Sequence, residues 1–208
     1  MKHKILVFLF SMVSLVGFAQ NDHLEPLNGY FDMYSHEYEY YANIRSILFK
    51  GMPGSPVLRY LVIPSFETEY VLQVDRGQAN NTYYINVRRA KQSIWSTKDK
   101  SIIEVEKWRN SISLEDLELI KQLYQNAILK TQYVVRNTIG TDGTRYYFSV
   151  DEMGLMSGQT WSPNKGSTME KLVNISEAIM NEAKASTFVG FSAPLRAQIK
   201  ELTLALFL

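Results

Sequence analysis

The chain has 208 residues, 46% of them hydrophobic and 12% aromatic, with 22 basic against 21 acidic side chains. That length and apolar content suit one globular domain with its own core and exclude a disordered chain. A net charge of +1 gives no electrostatic reason to bind nucleic acid, and the absence of cysteine excludes disulfide staples, thiolate metal sites and thiol catalysis.

The first residues carry an address. Lys2 and Lys4 precede an apolar run from Ile5 to Val16, and Gly17-Phe18-Ala19 supplies the small residues a signal peptidase reads. The apolar core, about twelve residues, is too short for the roughly twenty that span a bilayer. No cysteine follows to accept a lipid. The expectation is a signal peptide over residues 1–19, cleavage before Gln20, and a single domain over residues 20–208. Such a protein is periplasmic or secreted, with no stable membrane insertion after cleavage. Loss of Lys2 and Lys4 leaves 20 basic against 21 acidic side chains, a net charge of −1.

Residues 20–29 form a polar, ill-ordered lead-in. Over Tyr30 to Lys50 the steps between Tyr34, Tyr38, Tyr41, Ile44 and Leu48 are helical, whereas Tyr34, His36, Tyr38 and Tyr40 alternate like a strand. A helix over residues 37–49 is the favoured prediction, ended by Gly51-Met52-Pro53-Gly54. Strands follow at Val57–Ile63, Tyr70–Asp75, Thr82–Arg89 and Ile102–Trp108, close enough together for an antiparallel meander. Val57–Ile63 is apolar except for Arg59, as in a strand covered on both faces.

Ser113-Leu114-Glu115-Asp116 is a variant capping box, with Asp116 in the Glu position, opening an amphipathic helix to about Thr131. Thr141–Thr144 turns into a strand over Arg145–Val150. A turn over Asp151–Gly158 follows, with the return strand beginning at Gln159. Ser167-Thr168-Met169-Glu170 is a complete capping box before Leu172, Val173, Ile179 and Met180 at helical spacing. A last helix starts at Ser192-Ala193-Pro194 and carries Leu195, Ile199, Leu202 and Leu206. With strands grouped ahead of helices, the predicted class is α+β: a mostly antiparallel sheet with two to four amphipathic helices packed on it.

Asp142-Gly143-Thr144-Arg145-Tyr146-Tyr147-Phe148, followed by Trp161-Ser162-Pro163 and a capped helix, resembles a stretch of uncharacterised secreted bacterial proteins. The likeness spans residues 57–183 in layout and is specific over those two motifs. It implies an exported protein and no particular activity. From the residues themselves, Asp-Gly allows a positive φ at Gly143, and Trp161 closes the hairpin beside the next helix.

Sites for chemistry are few. After cleavage His23 and His36 are the remaining imidazoles, and their spacing fits neither a helical nor a strand pair of metal ligands. No metal site and no cofactor are predicted, and no catalytic residue is assigned. Tyr34, His36, Tyr38 and Tyr40, with Tyr147 and Trp161, are the binding candidates, because tyrosine joins a broad apolar face to a polar tip. Packing of the same rings on a sheet is the competing account. Glu104 and Glu106 share a strand face about 7 Å apart, a spacing useful for acid–base hydrolysis but equally that of a solvated sheet face. Asp142, Asp151 and Glu152 sit on turns without the spacing of a calcium loop. Arg88 and Arg89 point to opposite strand faces and make no nucleic-acid patch. The apolar end, Leu202 to Leu208, is either tucked into the core or seeks a partner. The expected function is an exported, non-catalytic binding protein for a protein, peptide or glycan partner. The alternative is a carboxylate-dependent hydrolase of envelope or nutrient polymers.

Overall fold

The computed structural model describes residues 22–27, 38–79, 81–133, 142–151 and 155–207. In chain order they form α1 (Tyr38–Leu48), β1 (Leu58–Pro64), β2 (Tyr70–Arg76), β3 (Tyr83–Ala90), β4 (Val105–Ile112), α2 (Leu114–Leu129), β5 (Thr144–Asp151), β6 (Leu155–Trp161), α3 (Thr168–Ala183) and α4 (Ala193–Phe207). The strands build one six-stranded antiparallel sheet in the order β4-β3-β2-β1-β5-β6. β1 to β4 are the predicted meander. After α2, β5 pairs with the other side of β1, from Leu58↔Val150 to Pro64↔Thr144. β1 is therefore interior in strand order, and it is packed on both faces as its apolar run predicted, with Leu58, Tyr60 and Val62 in one core cluster and Ile63 in the other.

Sheet and helices form a single α+β domain, but strands and helices interleave, because β5 and β6 follow α2. Three local predictions are corrected. The strand expected at 102–108 lies at Val105–Ile112, because Lys100–Ile102 coil into a 3-10 turn capped by Asp99. The return strand begins at Leu155 rather than Gln159, with Gly158 in mid-strand. A Cβ on Gly158 would lie 3.0 Å from Leu24 Cβ, so glycine there permits close packing. Leu24 itself belongs to the lead-in expected to be ill-ordered. It is fully buried, and Glu25 pairs with Gln159 in a β-bridge.

Alternation along each strand divides the core in two. Leu58, Tyr60, Val62, Leu72, Val74, Ile85, Val87, Phe148 and Val150 face α2 and α3 in the larger cluster. Ile63, Val71 and Ala90 face the opposite way, against Ile44 and Leu48 of α1 and Ile94 of the β3–β4 loop. The two sides are unequal. α3 buries eight residues, whereas α1 buries only Ile44 and Leu48. At roughly 1.5–3 kcal/mol per buried aliphatic side chain, apolar packing holds α1 weakly. Polar anchors supplement it. Arg88 donates to Leu48 O at 2.9 Å and Lys50 O at 2.6 Å, satisfying carbonyls at the end of α1, and Tyr40 reaches Glu69.

α3 begins as its capping box predicts: Ser167 Oγ accepts from Glu170 N at 3.0 Å. The return bond from Glu170 goes one residue upstream, to Gly166 N. At α2 only half of the predicted box exists. Ser113 Oγ accepts from Asp116 N at 3.1 Å, but the Asp116 carboxylate turns to α4. Its Oδ2 accepts from Arg196 Nη2 at 3.0 Å and Phe191 N at 3.2 Å. α4 packs on α2 and α3 as a further layer, burying Leu195, Ile199, Leu202 and Leu206. The apolar terminus is thus shared between core and surface, with Leu204 and Phe207 exposed. No described helix is long and apolar enough to cross a membrane.

Candidate functional site

At the end of the sheet where β1 leaves and β2 returns, three tyrosines share the face toward α3. Tyr70 and Tyr146 flank Val62 across the sheet, and Tyr60 lies one pleat further along β1. The Tyr60 and Tyr146 rings stack with centroids 6.3 Å apart and planes 5° from parallel. Glu177 of α3 accepts from Tyr60 at 2.7 Å and from Tyr70 at 2.8 Å, both at Oε1. Burial raises the pKa of both phenols, and the neighbouring Glu177 charge raises them further. Tyr146 is raised by burial too, opposed by its bond to Thr144 and reinforced by Glu177 and Glu67. All three hydroxyls stay protonated at neutral pH, so they serve as hydrogen-bonding groups rather than nucleophiles.

A pocket of about 240 Å³ opens over Tyr70 and Tyr146, lined also by Pro64, Ser65, Phe66, Glu67, Gly143 and Thr144. Two of the loops that line it are joined by hydrogen bonds. Ser65 N and Oγ both donate to Gly143 O, at 2.9 and 2.7 Å, and Gly143 N donates to Ser65 Oγ at 3.0 Å. Gly143 is not in the left-handed region expected for an Asp-Gly turn. Glycine is required there by close approach: a Cβ would lie 2.5 Å from Trp161 Nε1 and Ser162 Oγ. Phe66 stands at the rim, 82% exposed.

The six predicted binding residues divide. Tyr34 and His36 lie outside the described residues. Tyr38 is 55% exposed at the start of α1. Tyr40 is tied down, its hydroxyl donating to Glu69 Oε1 at 2.6 Å and its ring meeting the Trp95 ring edge-on at 4.9 Å. Tyr147 lies on the α1 side of the sheet, with its hydroxyl 3.2 Å from that of Tyr41, which accepts from Arg145 at 2.7 Å. Trp161 pairs with Arg145 across β5–β6 and backs Gly143. Tyr40 and Tyr147 therefore share the α1 side of the sheet, where Tyr40 also meets the Tyr41 ring at 5.8 Å. Trp161 supports the pocket from behind.

The described carboxylates among those singled out from sequence lie at separate places in the fold. Glu104 ion-pairs with Lys91 at 2.6 Å, with both side chains largely in solvent, and Glu106 is exposed on β4. Asp142 is exposed, Asp151 ends β5, and Glu152 is outside the described residues. Arg88 and Arg89 do point apart, Arg88 to α1 and Arg89 to Thr68 Oγ1 at 3.0 Å. His23 Nδ1 is 3.0 Å from Leu24 O. Among the described residues, no three His, Asp or Glu side chains cluster to hold a metal ion.

Glu177, Tyr60, Tyr70, Glu67 and Phe66 escaped the sequence prediction. Each sits in an ordinary strand, helix or turn pattern, and only the fold brings residues 60, 70, 146 and 177 together. The one local signal was tyrosine on the inward phase of β1, β2 and β5.

On the opposite face Asp75, almost fully buried, accepts from Gln73 Nε2 at 2.6 Å and Asn86 Nδ2 at 2.9 Å. Burial raises its pKa above the ordinary 3.8, against the lowering effect of Gln73 and of Arg59, Arg109 and Arg88. The folded state thus keeps this proton to higher pH than the unfolded chain. Asp75 should reduce stability as pH rises through the window above 3.8. Urea midpoints measured from pH 4 upward should fall less steeply in Asp75→Asn than in the parent, and equal slopes would contradict this assignment.

Comparison with protein-family models, with curated proteins and with solved structures finds no match for this chain.

Proposed function

We propose that this is an exported, non-catalytic binding protein whose ligand enters the pocket over Tyr70 and Tyr146. The observation that carries this reading is the pocket itself: aromatic walls, an exposed Phe66 rim and polar groups set in two mutually bonded loops. Its lining sets aromatic rings beside the polar groups of Ser65, Glu67 and Thr144, and convergent polar groups are what orient a bound ligand. The basic, apolar and small-residue segments of residues 1–19 support export. The hydrolase alternative gains nothing from Glu104, whose side chain is an exposed partner of Lys91.

Two measurements test this. N-terminal sequencing of the protein recovered from cells should begin at Gln20, and an intact Met1 would remove the export half of the proposal. Peptide and oligosaccharide mixtures screened by NMR against the purified protein should perturb residues 64–67 and 143–146. Phe66→Ala should weaken the selected ligand about tenfold, the usual effect of losing an aromatic anchor. Perturbations confined to the α1 face, or product release from the mixtures, would overturn it.

A further inference from the structure

Building on the pocket as a binding site, we infer that it takes a cationic side chain, the lysine or arginine of a peptide. Its size comes first. At about 240 Å³ it falls below the roughly 300–1,000 Å³ of pockets that enclose whole small molecules. One long, slender side chain fits that space better than a sugar ring with its neighbours.

Charge comes next. Glu67 is exposed in the lining, and it makes no hydrogen bond or ion pair among the described residues. Glu177 lies behind Tyr70 and Tyr60, with both phenols bonded to one of its oxygens. The charges that bear on the Tyr146 hydroxyl are those of Glu177 and Glu67, both negative. Arg89, whose charge bears on Tyr70, is not in the lining. Its Nε is held by Thr68 Oγ1, and its guanidinium lies 5.8 Å from the Tyr70 ring centroid. The exposed Phe66 ring attracts a cation, and the Tyr70 and Tyr146 rings in the lining give a methylene stem apolar surface to lie on. A pocket combining three aromatic rings with a carboxylate that has no partner among the described residues selects an ammonium or guanidinium over a neutral isostere.

The test is an NMR titration of the full protein with the amides of Nα-acetyl-lysine and Nα-acetyl-arginine. The matched neutral probes are the norleucine and citrulline amides, with the glutamate amide as an acidic probe and spermidine and glucosamine as other amines. The basic amides should shift residues 65–67 and 143–146, with affinities at least about tenfold above the neutral isosteres, weakening with salt. Glu67→Gln should remove most of that preference for the basic over the neutral probes. Glu67 is exposed, so the variant should fold.

Equal binding of basic and neutral probes would refute the charge inference and leave the pocket standing as a site. Preference for the glutamate amide would assign the region to Arg89 and refute it as well. Tighter binding of spermidine or glucosamine than of either amide would refute the peptide origin of the cation. Silence of the pocket resonances with every probe would defeat this inference. The pocket reading would then be judged by the mixture screen and the Phe66→Ala variant.

Discussion

Replacing Glu69 by alanine is expected to lower stability by about 3–5 kcal/mol, from two or three buried polar groups left unpaired. The Glu69 side chain is fully buried just before β2. Its Oε2 accepts from Ile94 N at 2.8 Å, and its Oε1 accepts from Trp95 N at 3.1 Å and Tyr40 Oη at 2.6 Å. One carboxylate thereby ties the β3–β4 loop and α1 to the sheet. The phenol of Tyr40 is held protonated as donor, its pKa raised by burial and then by Glu69. Because α1 buries only Ile44 and Leu48, losing this anchor should loosen α1 more than α3. Urea denaturation gives the total, and amide exchange at Ile94, Trp95 and along α1 locates it. Glu69→Gln keeps one acceptor oxygen and should retain about half the difference. A loss below about 1 kcal/mol in Glu69→Ala, with unchanged exchange in α1, would show that the anchor is replaceable.

The second large effect is at Asp116, where alanine should destabilise by about 3 kcal/mol, at the lower end for breaking a buried charge pair. The Asp116 side chain is fully buried, while Arg196 keeps about a third of its side chain in solvent. The freed guanidinium can therefore rehydrate, which keeps the loss from being larger. Oδ1 lies 2.8 Å from Arg196 Nε, but the N–H points aside, so neither atom gains a hydrogen bond there. The directed bonds run to Oδ2, from Arg196 Nη2 and Phe191 N. Ser113→Ala removes only the cap of α2, worth about 1 kcal/mol. The difference between these two variants, read from urea midpoints, isolates the α2–α4 latch. Equal losses would mean that Asp116 acts as a capping residue alone. Arg196→Met should destabilise as well, since it leaves a buried carboxylate without its charge partner.

Local pattern explains what was legible beforehand. A nearly unbroken apolar run marked β1, aromatic and β-branched content marked β3, alternation marked β5, and helical spacing with Ser167 and Glu170 marked α3. The stripe Leu195, Ile199, Leu202 and Leu206 marked the buried side of α4. Each of these depends on residues a few positions apart. Where a distant group intervened, the pattern misled. Leu24 turns Gly158 from a turn residue into a mid-strand one, and Trp161 rather than φ requires glycine at position 143.

The α+β class and most element positions were thus determined by the amino-acid sequence alone, because backbone propensity and the burial of one face act over a single turn or pleat. Strand order was decided by tertiary structure, which carries β5 across to β1 instead of extending the meander beside β4. So were the roles of Glu69, Asp116 and Glu177. A carboxylate becomes an anchor, a latch or the back wall of a pocket according to which donors the fold delivers to it, and those donors are up to 117 residues away.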